Sequence, residues 1–148
     1  LPHHLIYINM PYPEMLVAPM RAELTNQNFT ELKTAEEVET AFASIQNGTA
    51  LVVVNSVCGC AAGAMRPGVL LSLQGAKTPN KCLTVFAGQD LDATAKAREY
   101  MIPFPPSSPS IALFKDGKLV HFVERHHIEG RSATMLADNL KAAYEAYC

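Results

Sequence analysis

The chain has 148 residues, enough for one domain with a core that needs no disulfide staples. Hydrophobic residues make up 49% and charged residues 18%, a globular composition that argues against disorder. The formal charge of −2 argues against a nucleic-acid partner, which calls for a basic face.

The amino end, Leu1-Pro2-His3-His4, has neither the basic nor the apolar segment of a secretory signal. Residues 1–27 are punctuated by Pro2, Pro11, Pro13 and Pro19 and read as an irregular extension packed on a domain of residues 28–148. Phe29–Leu32 reads as a short strand. Thr34 with Glu37 makes a capping-box pattern, and Val38, Ala41, Phe42 and Ile45 then recur at helical spacing until Asn47-Gly48. Leu51–Val54 is a β-branched run suited to a strand covered on both faces. The apolar stretch Leu51–Met65 is broken by Asn55 and Ser56 and is too short to span a bilayer, so the expectation is a cytoplasmic protein with no membrane partner.

After Cys58 the spacing predicts a helix from Ala61 to about Leu73, interrupted at Pro67. Cys82–Ala87 reads as a buried strand and Ala93–Met101 as a helix. A proline-rich segment, Pro103 to Pro109, precedes strands Ser110–Lys115 and Lys118–Glu124, joined through Asp116-Gly117, a strong hairpin signal. Ser132 opens a last helix with Leu136, Leu140, Tyr144 and Tyr147 on one face. This order predicts an α/β fold, a sheet with one antiparallel portion and helices on both faces. The pairing order of the strands does not follow from these periods.

Four cysteines in a cytoplasmic chain read as chemistry or core filler before staples. Cys58 falls where a strand's carboxyl end turns into a helix, the place where reactive groups collect in open α/β sheets. Unpaired N–H groups and the positive end of the helix dipole stabilise a thiolate there, and can lower a thiol from about 8.5 to roughly 3.5–7.5. Cys58 is therefore the expected attacking thiol. Cys60 is its expected partner, either in a transient disulfide or as the resolving thiol. Closing an i, i+2 disulfide bends the residue between, and Gly59 tolerates conformations other residues avoid. The competing readings are a pair of ordinary core thiols, or a metal site made by both thiolates with His126 or His127.

Pro109 stands before a strand, where a cis bond beside Cys58 would let the Ser108 backbone receive an incoming extended segment. Read locally, Pro105, Pro106 and Pro109 serve equally as loop stiffeners. Cys82 reads as a buried strand thiol, Cys148 as a terminal bystander, and His126 and His127 as solvated loop residues. Arg66 reads either as a source of positive potential near the helix or as a surface charge.

Two segments resemble thioredoxin: Pro109–Gly117 resembles its cis-proline strand and hairpin, and Asn28–Thr34 with Leu51–Asn55 resembles its first two strands. The cysteine pair departs from thioredoxin's Trp-Cys-Gly-Pro-Cys, since this chain has no Trp and one residue fewer between the thiols. Val53–Gly63 with Arg66-Pro67 closely resembles the bacilliredoxin signature. So do Pro19–Arg21 with Glu23-Leu24, Thr84–Asp90, Pro106–Ser110 and Tyr147-Cys148, so the likeness runs from about Met10 to the end. The resemblance implies a thioredoxin-like fold with a central mixed sheet. It implies thiol–disulfide exchange that removes bacillithiol from S-bacillithiolated proteins, with Cys58 attacking, Cys60 as partner, and Gly59, Ser108 and a cis Pro109 positioning substrate. Expected partners are S-thiolated or disulfide-bonded proteins and a low-molecular-weight thiol. Bacillithiol is then a co-substrate, and no cofactor or metal is expected. General disulfide isomerisation and a thiolate metal-binding module remain the alternatives.

Overall fold

The computed structural model describes residues 11–148, so the first ten residues of the expected extension lie outside the described residues. Its first element corrects the sequence reading. Glu14–Thr25 is a helix (α1) despite Pro19 inside it. Val17, Arg21 and Leu24, at helical spacing, turn inward and are buried. Burial of that face offsets the hydrogen bond that the proline cannot donate.

The elements then follow the expected alternation: β1 (Thr30–Glu31), α2 (Ala35–Ala43), β2 (Thr49–Asn55), α3 (Arg66–Ser72), β3 (Lys81–Phe86), α4 (Leu91–Glu99), β4 (Ser110–Lys115), β5 (Lys118–Val123) and α5 (Ala133–Tyr147). Thr34 caps α2 by accepting from the Glu37 N–H, and the Glu37 carboxylate answers to the Thr34 N–H, the capping box in full. Ser132 caps α5 by accepting from Met135 N–H. Asp116 and Gly117, at φ 50° and 80°, take the left-handed backbone of a two-residue hairpin turn between β4 and β5.

The five strands lie in the order β1-β3-β2-β4-β5. β1, β3 and β2 run parallel, and β2–β4 and β4–β5 run antiparallel. All seven residues of β2 are buried at the centre. Strand alternation sends Leu51 and Val53 to one face, packed with Ile111, Val123, Leu136 and Leu140, and Ala50, Val52 and Val54 to the other, packed with Phe42, Val85 and Ala97. Two cores on opposite faces make β2 the fixed floor from which the Cys58 loop leaves.

Arg21 locks α1 to the sheet. Its guanidinium meets Glu14 (3.0 Å), Glu31 (2.8 Å) and Asp90 (2.7 Å), and lies over the Phe86 ring. Among the described residues no helix is long and apolar enough to cross a membrane.

Candidate active site

β2 ends at Asn55, and Ser56 and Val57 carry the chain into a helix that begins at residue 59. The backbone N–H groups of Ala61 and Ala62 point back to the Cys58 carbonyl (3.0 and 3.3 Å), so Cys58 stands at the first turn, as its sequence position predicts. The helix takes π spacing over Ala61–Met65 before α3. The interruption expected at Pro67 therefore occurs as a change of register just ahead of the proline, which has no N–H to donate.

The two thiols face each other. Cys58 Sγ and Cys60 Sγ are 2.7 Å apart and unbonded, and both side chains are partly buried against the core on the α3–α5 face. Ser56 Oγ donates to Cys58 Sγ at 3.4 Å. Partial burial pushes the Cys58 thiol up, but donation from Cys60, from the Ser56 hydroxyl and from the backbone N–H groups of Ala61 and Cys60 outweighs it, and Cys58 falls below its ordinary value. Cys60 is raised, first by burial and then by its hydrogen bond to Cys58 and the charge there. One thiol of the pair is set to ionise and the other to stay protonated and donate to it.

Gly59 is exposed in ordinary backbone, and a Cβ there would meet nothing within 4 Å. With the thiols unbonded no unusual bend is needed, and what glycine leaves at this position is open space beside the sulfurs.

Behind the thiols lies a network that the sequence reading missed. Arg66, read as possible surface charge, is 1% exposed. Its Nη1 donates to Asn55 Oδ1 and to the Ser56 carbonyl, both at 2.9 Å, and its Nε lies 3.0 Å from Glu23 of α1. Asn55 Oδ1 also accepts from Ser56 N–H at 2.9 Å, and Asn55 Nδ2 donates to the Met20 carbonyl of α1. The serine that donates to Cys58 is thus held by strand, helix and α1 together. The sequence signal was a Ser two residues before the thiol and an Arg closing an Ala-rich run. Arg66→Met keeps an apolar stem of similar length but removes the Nη1 that donates to both Asn55 Oδ1 and the Ser56 carbonyl, so a buried carbonyl loses its donor. The expected cost is about 1–3 kcal/mol in urea unfolding. The Cys58 thiolate absorbance should also titrate at higher pH than in the wild type.

Register places the proline segment at the same rim. Ser110 pairs with Val54, so Pro109 lies level with Asn55. The Ser108–Pro109 bond is cis and Pro109 is buried. The Ser108 carbonyl accepts from Arg125 Nη1 at 3.1 Å, and Ser107 accepts from the Arg125 backbone N–H. Ser108 and Pro109 are thus brought to the cysteine end of the sheet, with the Ser108 carbonyl already engaged.

The other cysteines stand apart. Cys82, partly buried in β3, is pushed up to about 11 by burial and then by Cys148, and Cys148 is exposed at the end of α5. Among the described residues the group able to converge on a metal is Glu124, His126 and His127, whose ligand atoms lie within 4.8 Å of one another. Neither Cys58 nor Cys60 belongs to it, so the competing thiolate–histidine set is not assembled among the described residues.

A family model described as Disulphide isomerase matches residues 12–148. A bacilliredoxin of Cytophaga hutchinsonii is 64% identical over 134 residues, covering 90% of this chain and 98% of its own length. One from Salinibacter ruber is 54% identical over 140 residues, covering 94% and 82%. Among solved structures, the reduced thioredoxin pre-protein of Schistosoma mansoni superposes with a TM-score of 0.56 at 17% identity, over 82% of this chain and 99% of that one. At that identity the likeness carries the fold, which is thioredoxin-like.

Proposed function

This chain belongs to the Disulphide isomerase family, alongside relatives that bear the name bacilliredoxin, and from that premise we propose that it removes bacillithiol from S-bacillithiolated proteins by exchange at Cys58. The protein is a thiol–disulfide oxidoreductase. The observation that carries exchange at Cys58 is the thiol pair at the helix start, Cys58 Sγ and Cys60 Sγ 2.7 Å apart with Cys58 lowered and Cys60 raised, and the names of the relatives supply the small thiol of the proposal.

In the proposed reaction Cys58 thiolate attacks the small-thiol sulfur of a mixed disulfide. One S–S bond forms as another breaks, and the protein cysteine leaves as a thiolate and takes a proton from water. Cys58 then carries the small thiol. Cys60 attacks Cys58 Sγ and releases the small thiol, or a second molecule of free small thiol attacks the sulfur of the bound one and releases Cys58 as a thiolate. The first course leaves a Cys58–Cys60 disulfide and the second a low-molecular-weight disulfide, and in each the resolving thiol supplies the electrons. Sulfur does all the redox work, and this scheme calls for no prosthetic group. Gly59, Ser108 and Pro109 serve in it as the open approach and the rim against which substrate is positioned. We place the exchange in the reducing cytoplasm, where a labile thiol is kept ready.

The test offers the protein one target carrying bacillithiol and the same target carrying glutathione. Bacillithiol release should be the faster and should vanish with Cys58→Ser. Release unaffected by that substitution would remove the assignment. The family description also favours a second reading, isomerisation of protein disulfides. Refolding of scrambled ribonuclease at a rate exceeding small-thiol removal would favour it.

A further inference from the structure

Arg125 is a cation at the rim that the exchange scheme has not used. Val123 pairs with Ile111, and Ile111 with Val53, so the chain beyond β5 leaves the sheet at the same end as Asn55–Cys60. The Arg125 side chain is pinned on two sides, by Nη1 donating to the Ser108 carbonyl at 3.1 Å and by Nε donating to Glu129 at 3.0 Å. Among the described residues Nη2 makes no hydrogen bond, and the side chain is 43% exposed. A guanidinium fixed in its plane, with Nη2 unengaged and the side chain part-exposed, suits a carboxylate.

Its charge reaches both thiols. Arg125 is raised first by its bond to Glu129 and then by the charges on Cys58 and Cys60, and Cys60 in turn feels Arg125 as a lowering influence. A ligand carboxylate on Nη2 would lie at the same rim of the sheet as Cys58, beside the Ser108 carbonyl. Glu129 is the competing anion, but it is 53% exposed, and an exposed ion pair is weak enough to yield to a second carboxylate.

We propose that Arg125 forms a carboxylate subsite that selects disulfides in which the thiol transferred to Cys58 bears an acidic group. The proposal rests on Cys58 as the attacking thiol and names the substrate chemistry that this site prefers. The covalent step is unchanged: one S–S bond forms to Cys58, one breaks, and the subsite binds only the group being transferred. Lysine at this position would keep the charge but lose the planar fork.

The experiment measures the rate of reaction of the reduced protein with three disulfides of similar size: dithiodiglycolate, bis(2-hydroxyethyl) disulfide and cystamine. Their acidic, neutral and basic ends differ in charge, and each rate is divided by that of free 2-mercaptoethanol with the same disulfide. Wild-type protein should favour the acidic over the basic disulfide by about tenfold or more at low salt, with the preference shrinking as salt rises. Arg125→Gln should bring the ratio to within about twofold, Arg125→Lys should fall between, and Glu129→Gln should widen it. Any change that Arg125→Gln makes in Cys58 ionisation is common to all three disulfides and cancels in the ratio. An acidic-to-basic ratio equal in wild type and Arg125→Gln would overturn the subsite. Exchange with all three disulfides that persists in Cys58→Ser would instead overturn the role of Cys58, and the subsite with it.

Discussion

Replacing Cys58 with Ser is expected to reduce disulfide exchange by more than about a thousandfold, because a serine hydroxyl does not ionise near neutral pH and forms no disulfide. Cys60→Ser should behave differently. The new hydroxyl can still donate toward Cys58 Sγ, as the Cys60 thiol does across 2.7 Å, so the donors that lower Cys58 largely survive. The first transfer should stay within about threefold of wild type, since exchange rates vary only weakly with modest changes in thiol pKa. What is lost is closure of the Cys58–Cys60 disulfide, so the small thiol should accumulate on Cys58 when no free thiol is supplied. Stopped-flow transfer rates and the intact mass of the product check both. A Cys60→Ser protein as inactive as Cys58→Ser would show that the two sulfurs act only together.

Arg21→Ala should lower stability by about 3–5 kcal/mol, the range for breaking a buried ion pair, because Glu31 and Asp90 are left facing each other with little solvent to screen them. Their side chains are only 15% and 13% exposed, whereas Glu14 at 58% can turn to water. Lys33→Ala is the natural comparison. Lys33 pairs with the same Glu31 at 3.8 Å but from an exposed position, and its loss should cost about 0–1 kcal/mol. Urea unfolding separates the two, with a lower midpoint and an unchanged slope expected for Arg21→Ala. The substitution should also slow exchange. α1 supplies Met20 to Asn55 and Glu23 to Arg66, so loosening this helix loosens the support of Ser56 and through it Cys58. An Arg21→Ala protein as stable as Lys33→Ala would show that α1 is not held by its charges.

The part of this arrangement legible in the sequence is the part written in local signals. Thr34 with Glu37, Ser132, and Asp116-Gly117 each fix their own backbone within a few residues, and the structure bears them out. The buried run Leu51–Val54 and the placement of Cys58 at its exit were equally plain, since a centrally buried strand has no polar face to disguise it. α1 was hidden because one of its three inward residues is Arg21, a charge whose partners Glu31 and Asp90 lie 10 and 69 residues away. Arg66 was misread for the same reason. A buried guanidinium leaves no hydrophobic period, and its oxygens on Asn55 and Ser56 are 11 and 10 residues back. The strand order needed the parallel β2–β3 and antiparallel β2–β4 pairings, long-range choices that no window of sequence contains. The bend read for Gly59 belongs to the closed Cys58–Cys60 disulfide, whereas these thiols are unbonded.

The direct test follows alkylation of the reduced protein by iodoacetamide across a range of pH, with peptide mass spectrometry to locate each adduct. A group lowered in the fold is ionised at pH values where a free thiol, near about 8.5, is still protonated. Cys58 should therefore be modified first, with its rate levelling off below that value, while Cys60 and Cys82 lag. First modification at Cys60, or a Cys58 rate still climbing beyond the ordinary thiol value, would contradict the account.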